Sequence, residues 1–133
     1  MDELDHIRAS VGRCPAGGAV ATTAGALPAR WVFHAVGPIY RGGRQKEPEL
    51  LASCYRTCLE MAEERGLAAI SFPSISTGAY GYPMAEAARI ALDTVARHLE
   101  RGDTKVREVI FVLFDRAAYD VFAAALRERS RCA

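Results

Sequence analysis

No stretch of this chain stays apolar long enough to cross a membrane. Its first residues, Met1-Asp2-Glu3-Leu4-Asp5, are acidic where a secretory signal would be basic and then apolar. Neither sign of charge dominates, since 17 Lys and Arg against 16 Asp and Glu leave a net charge of +1. That balance removes the electrostatic reason to expect a nucleic acid or a membrane surface as partner. Metal-ligand spacing is missing as well. Cys14, Cys54, Cys58 and Cys132 form no CxxC pair, and none of His6, His34 and His98 stands at ligand spacing from them. Cys54 and Cys58, four apart in a helical pattern, share one face and read as buried thiols in a reducing cytoplasm, so no metal or other cofactor is expected. Repeats, linkers and low-complexity segments are absent.

What is present suits one domain over residues 1–133, half of them hydrophobic and so able to form a core. Leu4, Ile7 and Val11 repeat at helical spacing, and a turn follows at Cys14–Gly18. Ala19–Thr23 and Arg30–Val36 read as strands separated by a break at Gly25–Pro28. A helix opens near Glu47 and Pro48, with Leu51, Cys54, Cys58 and Met61 as its apolar stripe and Gly66 as its stop. Ala68–Phe72 is a third strand. A helix from Pro83 puts Ala88, Leu92, Val95 and Leu99 on one face and ends at Gly102. Val109–Phe114 is a continuous apolar run, which predicts a strand buried on both faces. Asp115 is placed to cap a last helix with Tyr119, Phe122 and Leu126 inside. Alternation of strands and helices predicts an α/β fold with a mixed, mostly parallel sheet.

Between the third strand and the Pro83 helix lies Pro73-Ser74-Ile75-Ser76-Thr77-Gly78-Ala79-Tyr80-Gly81-Tyr82. Gly78 and Gly81 permit positive φ and close approach of a ligand. Successive amides in such a turn form a concavity for an anion, and the helix N-terminus adds partial positive charge. A plain strand-to-helix connection is the alternative. Ligands of parallel sheets bind beyond the C-terminal strand ends. That rule gathers the loop after Val36, the 74–82 loop and Phe114-Asp115 on one edge, and it favours a phosphate-bearing ligand. Tyr80, an aromatic flanked by glycine, is a candidate contact residue. His34 reads as a hydrogen-bonded core residue ahead of a catalytic base, and His6 and His98 read as surface residues.

These segments resemble a macrodomain of the MacroD type. The resemblance rests on Cys14-Pro15-Ala16-Gly17 with Ala19–Thr22, on Leu27–Arg30 with Val32–Pro38, on Leu50–Tyr55, on Ser71–Pro83 and on Val109–Asp115. It implies a three-layer α/β sandwich that binds ADP-ribose or ADP-ribosylated protein. In that family the activity is hydrolysis of ADP-ribose from acidic side chains and deacetylation of O-acetyl-ADP-ribose. Ser74, Ser76, Thr77, Gly78, Ala79, Tyr80 and Gly81 would then hold the diphosphate and ribose. Phe114 and Asp115 would lie on the adenine side.

The resemblance also implies elements that this sequence does not show. Family members carry two further strands ahead of the position of Leu4, an Asn-Ala-Ala-Asn loop, and a glycine-rich loop near a catalytic aspartate. This chain contains no asparagine, and Gly17-Gly18 and Gly42-Gly43 stand at other places in the pattern. The expectation is an N-terminally truncated macrodomain that keeps the second diphosphate loop, with hydrolysis weak or lost and no assignable catalytic residue. An active hydrolase and a ligand-free, self-associating remnant are the alternatives. One of the missing strands would lie between Trp31–Val36 and Ala69–Phe72. Its loss predicts a gap, direct pairing of these two strands, or a homodimer that shares strands there.

Overall fold

Spacing and capping signals produce seven elements among the residues that the computed structural model describes, 16–23, 31–78 and 80–131. The expected helix at Leu4–Val11, the break at Gly25–Pro28, Cys14, Cys132 and Ala79 lie outside the described residues. Strands β1 (Ala19–Thr23) and β2 (Trp31–Ala35) pair antiparallel, with Ala19 opposite Ala35 and Thr23 opposite Trp31. Two bonds carry this ladder one step further, from Gly17 N–H to Val36 O at 2.7 Å and from Val36 N–H to Gly18 O at 2.9 Å. Helix α1 (Glu47–Glu64) follows, then β3 (Ala69–Phe72), α2 (Met84–Leu99), β4 (Glu108–Phe111) and α3 (Arg116–Arg131). Strands β3 and β4 pair in parallel, Ala69 opposite Glu108 and Phe72 opposite Phe111.

The two pairs form separate sheets, and β2 does not bond to β3. Of the arrangements expected around a missing strand, direct pairing is therefore ruled out and a gap is present. The reason is visible at both ends of the gap. Beside β2, the Arg65 guanidinium lies 4.8 Å from the Trp31 ring centroid and 5.5 Å from that of Phe33. At the other end Gly37 abuts Ile75 and Ser76. These contacts bridge the two strands at either end of the gap.

The core runs through aromatic rings contributed by four elements. Tyr55 of α1 meets Phe72 of β3 with centroids 5.0 Å apart, Phe72 meets Phe111 of β4 at 5.8 Å, and Phe111 meets Phe122 of α3 at 5.3 Å. Leu51, Leu59, Ala87, Ala88, Ala91 and Val95 close round them. Alanines on α2 let that helix approach α1 closely.

Three expectations about faces need correction. The Val109–Phe114 run is not buried on both sides: its strand ends at Phe111, Ile110 is exposed, and Val112 keeps 64% of its surface. On α3 the inward residues are Ala118 and Phe122, while Tyr119 and Leu126 are exposed. On α2 the inward stripe is Ala87, Ala88, Ala91, Val95 and His98, with Leu92 half-buried and Leu99 exposed. His98, read from sequence as a surface residue, is 5% exposed and its Nε2 lies 3.2 Å from Glu63 Oε1. A histidine in the last turn looks solvated by periodicity alone. Here the carboxylate of Glu63 on the neighbouring helix gives it a buried partner.

Two carboxylates act as internal staples. Glu63 accepts bonds from the Thr104 hydroxyl and the N–H groups of Lys105 and Val106. The Thr104 bond comes first among the causes that hold its pKa down at about 2, against the opposing effect of burial. Burial would raise the pKa of Glu47. The N–H groups of Arg41, Gly43 and Gln45 outweigh that and bring it to about 2. A carboxylate whose folded pKa is depressed stabilises fully above its unfolded value, near 4.5, and loses that contribution as the pH falls toward 2. The melting temperature is therefore expected to hold down to about pH 4.5 and to drop between 4.5 and 2. Thermal melts of Glu63→Gln should start lower and show a shallower decline over that window.

Candidate ligand-binding site

The loop leaving β3 is shaped by α1. The Tyr55 hydroxyl accepts the Ile75 N–H at 3.1 Å and lies 3.4 Å from Pro73 O, to which it can donate. Burial in the core pushes the Tyr55 phenol well above its ordinary pKa, so it stays protonated and keeps both roles. Beyond Ile75 the chain turns at Ser76, which has φ 66° in the left-handed region. Thr77 Oγ1 donates to Ser74 O at 3.0 Å, Gly81 N–H to Gly78 O at 3.0 Å and Tyr82 N–H to Ser76 O at 2.9 Å. Tyr40 N–H fastens the far side by donating to Tyr80 O at 2.9 Å. The Tyr40 and Tyr82 rings meet with centroids 5.0 Å apart.

These internal bonds use the N–H groups of Ile75, Gly81 and Tyr82. Those of Ser76, Thr77 and Gly78 meet no acceptor among the described residues. The Ser76 hydroxyl is buried and likewise has no partner among the described residues. The three amides can meet an acceptor supplied by a ligand, whereas the Ser76 hydroxyl is closed in against Gly37. Positive φ falls at Ser76 and Gly81, not at Gly78 as the glycine pattern suggested. A Cβ on Gly78 would meet nothing within 4 Å.

Ser74, Ser76 and Tyr80 border a cavity of about 1080 Å³, and Tyr80, 43% exposed, also borders a second of about 300 Å³. Thr77, Gly78 and Gly81 belong to the same turn. Ala79, the seventh expected loop residue, lies outside the described residues. Phe114 and Asp115 follow β4 and so share the sheet edge with the end of β3, yet neither borders these cavities. Phe114 is 99% exposed. Asp115 caps α3, its Oδ1 accepting the Ala118 N–H at 2.8 Å. His34 sits half-buried in the middle of β2, opposite Val20.

Sequence reasoning missed two positioning residues. Tyr55 lies on the apolar face of α1, and a buried tyrosine needs a partner for its hydroxyl; that need was the available signal. Gly37 carries no local sign of its role. A Cβ there would come within 2.7 Å of Ile75 and closer still to Ser76. Among the described residues no group of three or more His, Cys, Asp or Glu is arranged to hold a metal, and no helix is long and apolar enough to span a membrane.

Residues 1–91 match the Macro domain family. A macro domain-containing protein of Caldanaerobacter subterraneus is 50% identical over 127 residues, covering 96% of this chain and 71% of that protein. An O-acetyl-ADP-ribose deacetylase of Enterobacter cloacae is 46% identical over 131 residues, covering 98% of this chain and 72% of its own. Among solved structures, an Oceanobacillus iheyensis macrodomain with ADP superposes with a TM-score of 0.88 at 39% identity, covering 97% of this chain and 68% of that one. A Trypanosoma brucei macrodomain in complex with ADP-ribose gives 0.77 at 36% identity, covering 85% and 47%. The chain belongs to the Macro domain family, and its α/β fold is the macrodomain fold.

Replacing Tyr55 by Phe removes the acceptor for Ile75 N–H at the root of the loop. A destabilisation of about 1–3 kcal/mol is expected in urea melts, with amide exchange at Ile75 and Ser76 speeded more than in the helices.

Proposed function

We propose that this chain is an ADP-ribose-binding module that grips the diphosphate with backbone amides of the 74–81 loop. The observation that carries this reading is the run of backbone donors, Ser76, Thr77 and Gly78 N–H, without an acceptor among the described residues, in the loop whose Ser74, Ser76 and Tyr80 border the large cavity. Such a cluster matches a dianionic diphosphate and needs neither metal nor basic side chain. The ADP and ADP-ribose held by the structural neighbours support the choice of ligand. On this reading Tyr80 covers the distal ribose, and fully exposed Phe114 lies on the adenine side together with Asp115. The ligand is free ADP-ribose or its form attached to a protein side chain. Cys54 and Cys58, both buried and in no disulfide, suit the reducing cytoplasm in which we place the protein.

Binding is expected to be weak. Each hydrogen bond to a charged group contributes roughly 1.5–3 kcal/mol, and one phosphate loop supplies only part of a full cradle. A dissociation constant on the order of a millimolar or beyond follows. Calorimetry with ADP-ribose checks it, beside Gly78→Val. That substitution meets open space within the protein, so it should spare the melting temperature and abolish the titration heat. Equal heats for both proteins would remove the loop from the account.

Hydrolysis is expected to be negligible despite the Enterobacter relative's name. The chain has no asparagine, and Asp115 is engaged in capping α3. Positioning alone can supply roughly 7–11 kcal/mol of barrier lowering. Incubation with aspartate- or glutamate-linked ADP-ribosylated protein, beside an intact hydrolytic macrodomain, should release ADP-ribose several orders of magnitude more slowly. A comparable rate, lost in Tyr80→Ala, would establish the hydrolase reading instead.

A further inference from the structure

We infer that the second cavity, which shares Tyr80 with the first, is a subsite for the polypeptide that carries the ADP-ribose, and that it takes a glutamate side chain near the point of attachment. The inference rests on the ADP-ribose reading above, in which Tyr80 covers the distal ribose. A protein joined to that ribose leaves the first cavity past Tyr80, and the second cavity is what Tyr80 borders next.

The lining of this cavity is amphipathic. Val36, Pro38, Ile39 and Leu50 supply apolar surface, and Arg41 and Gln45, both exposed, are the residues able to bond an anion. Its volume of about 300 Å³ stands at the foot of the range for small-molecule pockets, about 300–1,000 Å³. That is room for a side chain with an aliphatic stem and a charged head, not for a second nucleotide.

The local charge is available because of how the 41–46 loop is folded. Glu47 is acidic and borders the cavity, yet it is 1% exposed and its carboxylate is spent on the N–H groups of Arg41, Gly43 and Gln45. Those amides are thereby withdrawn from any phosphate. The Arg41 guanidinium is left over: among the described residues no ion pair engages Arg41, Arg44 or Lys46. Left-handed backbone at Gly42, Gly43 and Lys46 completes the turn. Tyr40, just ahead of it, donates its N–H to Tyr80 O and stacks on Tyr82. The cationic loop is thus preorganised beside the residue that divides the two cavities. A guanidinium and a carboxamide over apolar surface match a glutamate, whose methylenes cover Ile39 and Leu50 while its carboxylate meets Arg41.

The test compares three ligands through the amide signals of Ser76, Thr77 and Gly78 in NMR titrations. They are free ADP-ribose, a short glutamate-containing peptide joined to the distal ribose of ADP-ribose by a stable oxime, and the same conjugate with glutamine in place of glutamate. The glutamate conjugate should bind about threefold tighter than the other two, and added salt should erode the difference. Arg41→Gln keeps the backbone N–H that Glu47 accepts. It should abolish the advantage of the conjugate and leave the affinity for free ADP-ribose and the melting temperature unchanged. Equal affinities for the three ligands would overturn the inference, and so would an advantage that survives in Arg41→Gln. A further titration uses the unconjugated glutamate peptide and follows the Arg41 Nε–H and Gln45 side-chain signals. Saturable movement there supports the subsite, and no movement with either the peptide or its conjugate would overturn it. Failure of free ADP-ribose and both conjugates to move the Ser76–Gly78 amides would overturn the function proposed above, while the Arg41 and Gln45 signals still decide the subsite.

Discussion

The hydroxyl of Tyr55 is where the core and the candidate site become one structure. Its ring lies among Phe72 and Phe111, fully buried on α1, and its oxygen holds Ile75 near the start of the 74–81 loop. The loop's conformation is thus set by the packing of a helix against a sheet, not by the loop sequence alone. With Ile75 held, the chain turns at Ser76 in the left-handed region, and the bonds from Gly81 and Tyr82 close the turn. Preorganised donors of this kind give affinity without an ordering cost at the moment of binding.

A second constraint is the satisfaction of strand edges. Main-chain groups must find partners or water, and this chain leaves one edge of β2 and one of β3 facing a common cavity. Contacts of Arg65 and Gly37 join the two strands at the ends of this cavity. The cavity therefore has fixed walls, and the candidate loop forms one end of it through Ser74 and Ser76.

Much of this was legible in the sequence. The bounds of β1, β2, α1, β3 and α2 follow from apolar spacing punctuated by Pro48, Gly66, Pro83 and Gly102, and the structure places them within a residue or two. The 74–81 loop could be singled out because glycines and hydroxyls stood between a strand and a helix. The faces were harder. His98 and Tyr119 occupy positions whose burial is decided by which helix lies opposite, and a one-dimensional pattern does not contain that. The apolar run through Phe114 looked like a buried strand because its exposure depends on what covers β4. Gly37 and Tyr55 act across 39 and 20 residues of sequence, on Ser76 and Ile75 respectively, which no local motif encodes.

The most direct test of the central claim is amide-resolved NMR during titration with ADP-ribose. The account predicts that the N–H signals of Ser76, Thr77 and Gly78 move downfield together and saturate on one isotherm, while those of α1 and α3 stay in place. Saturating shifts confined to residues remote from the 74–81 loop, or no shift at ligand concentrations well above a millimolar, would contradict it.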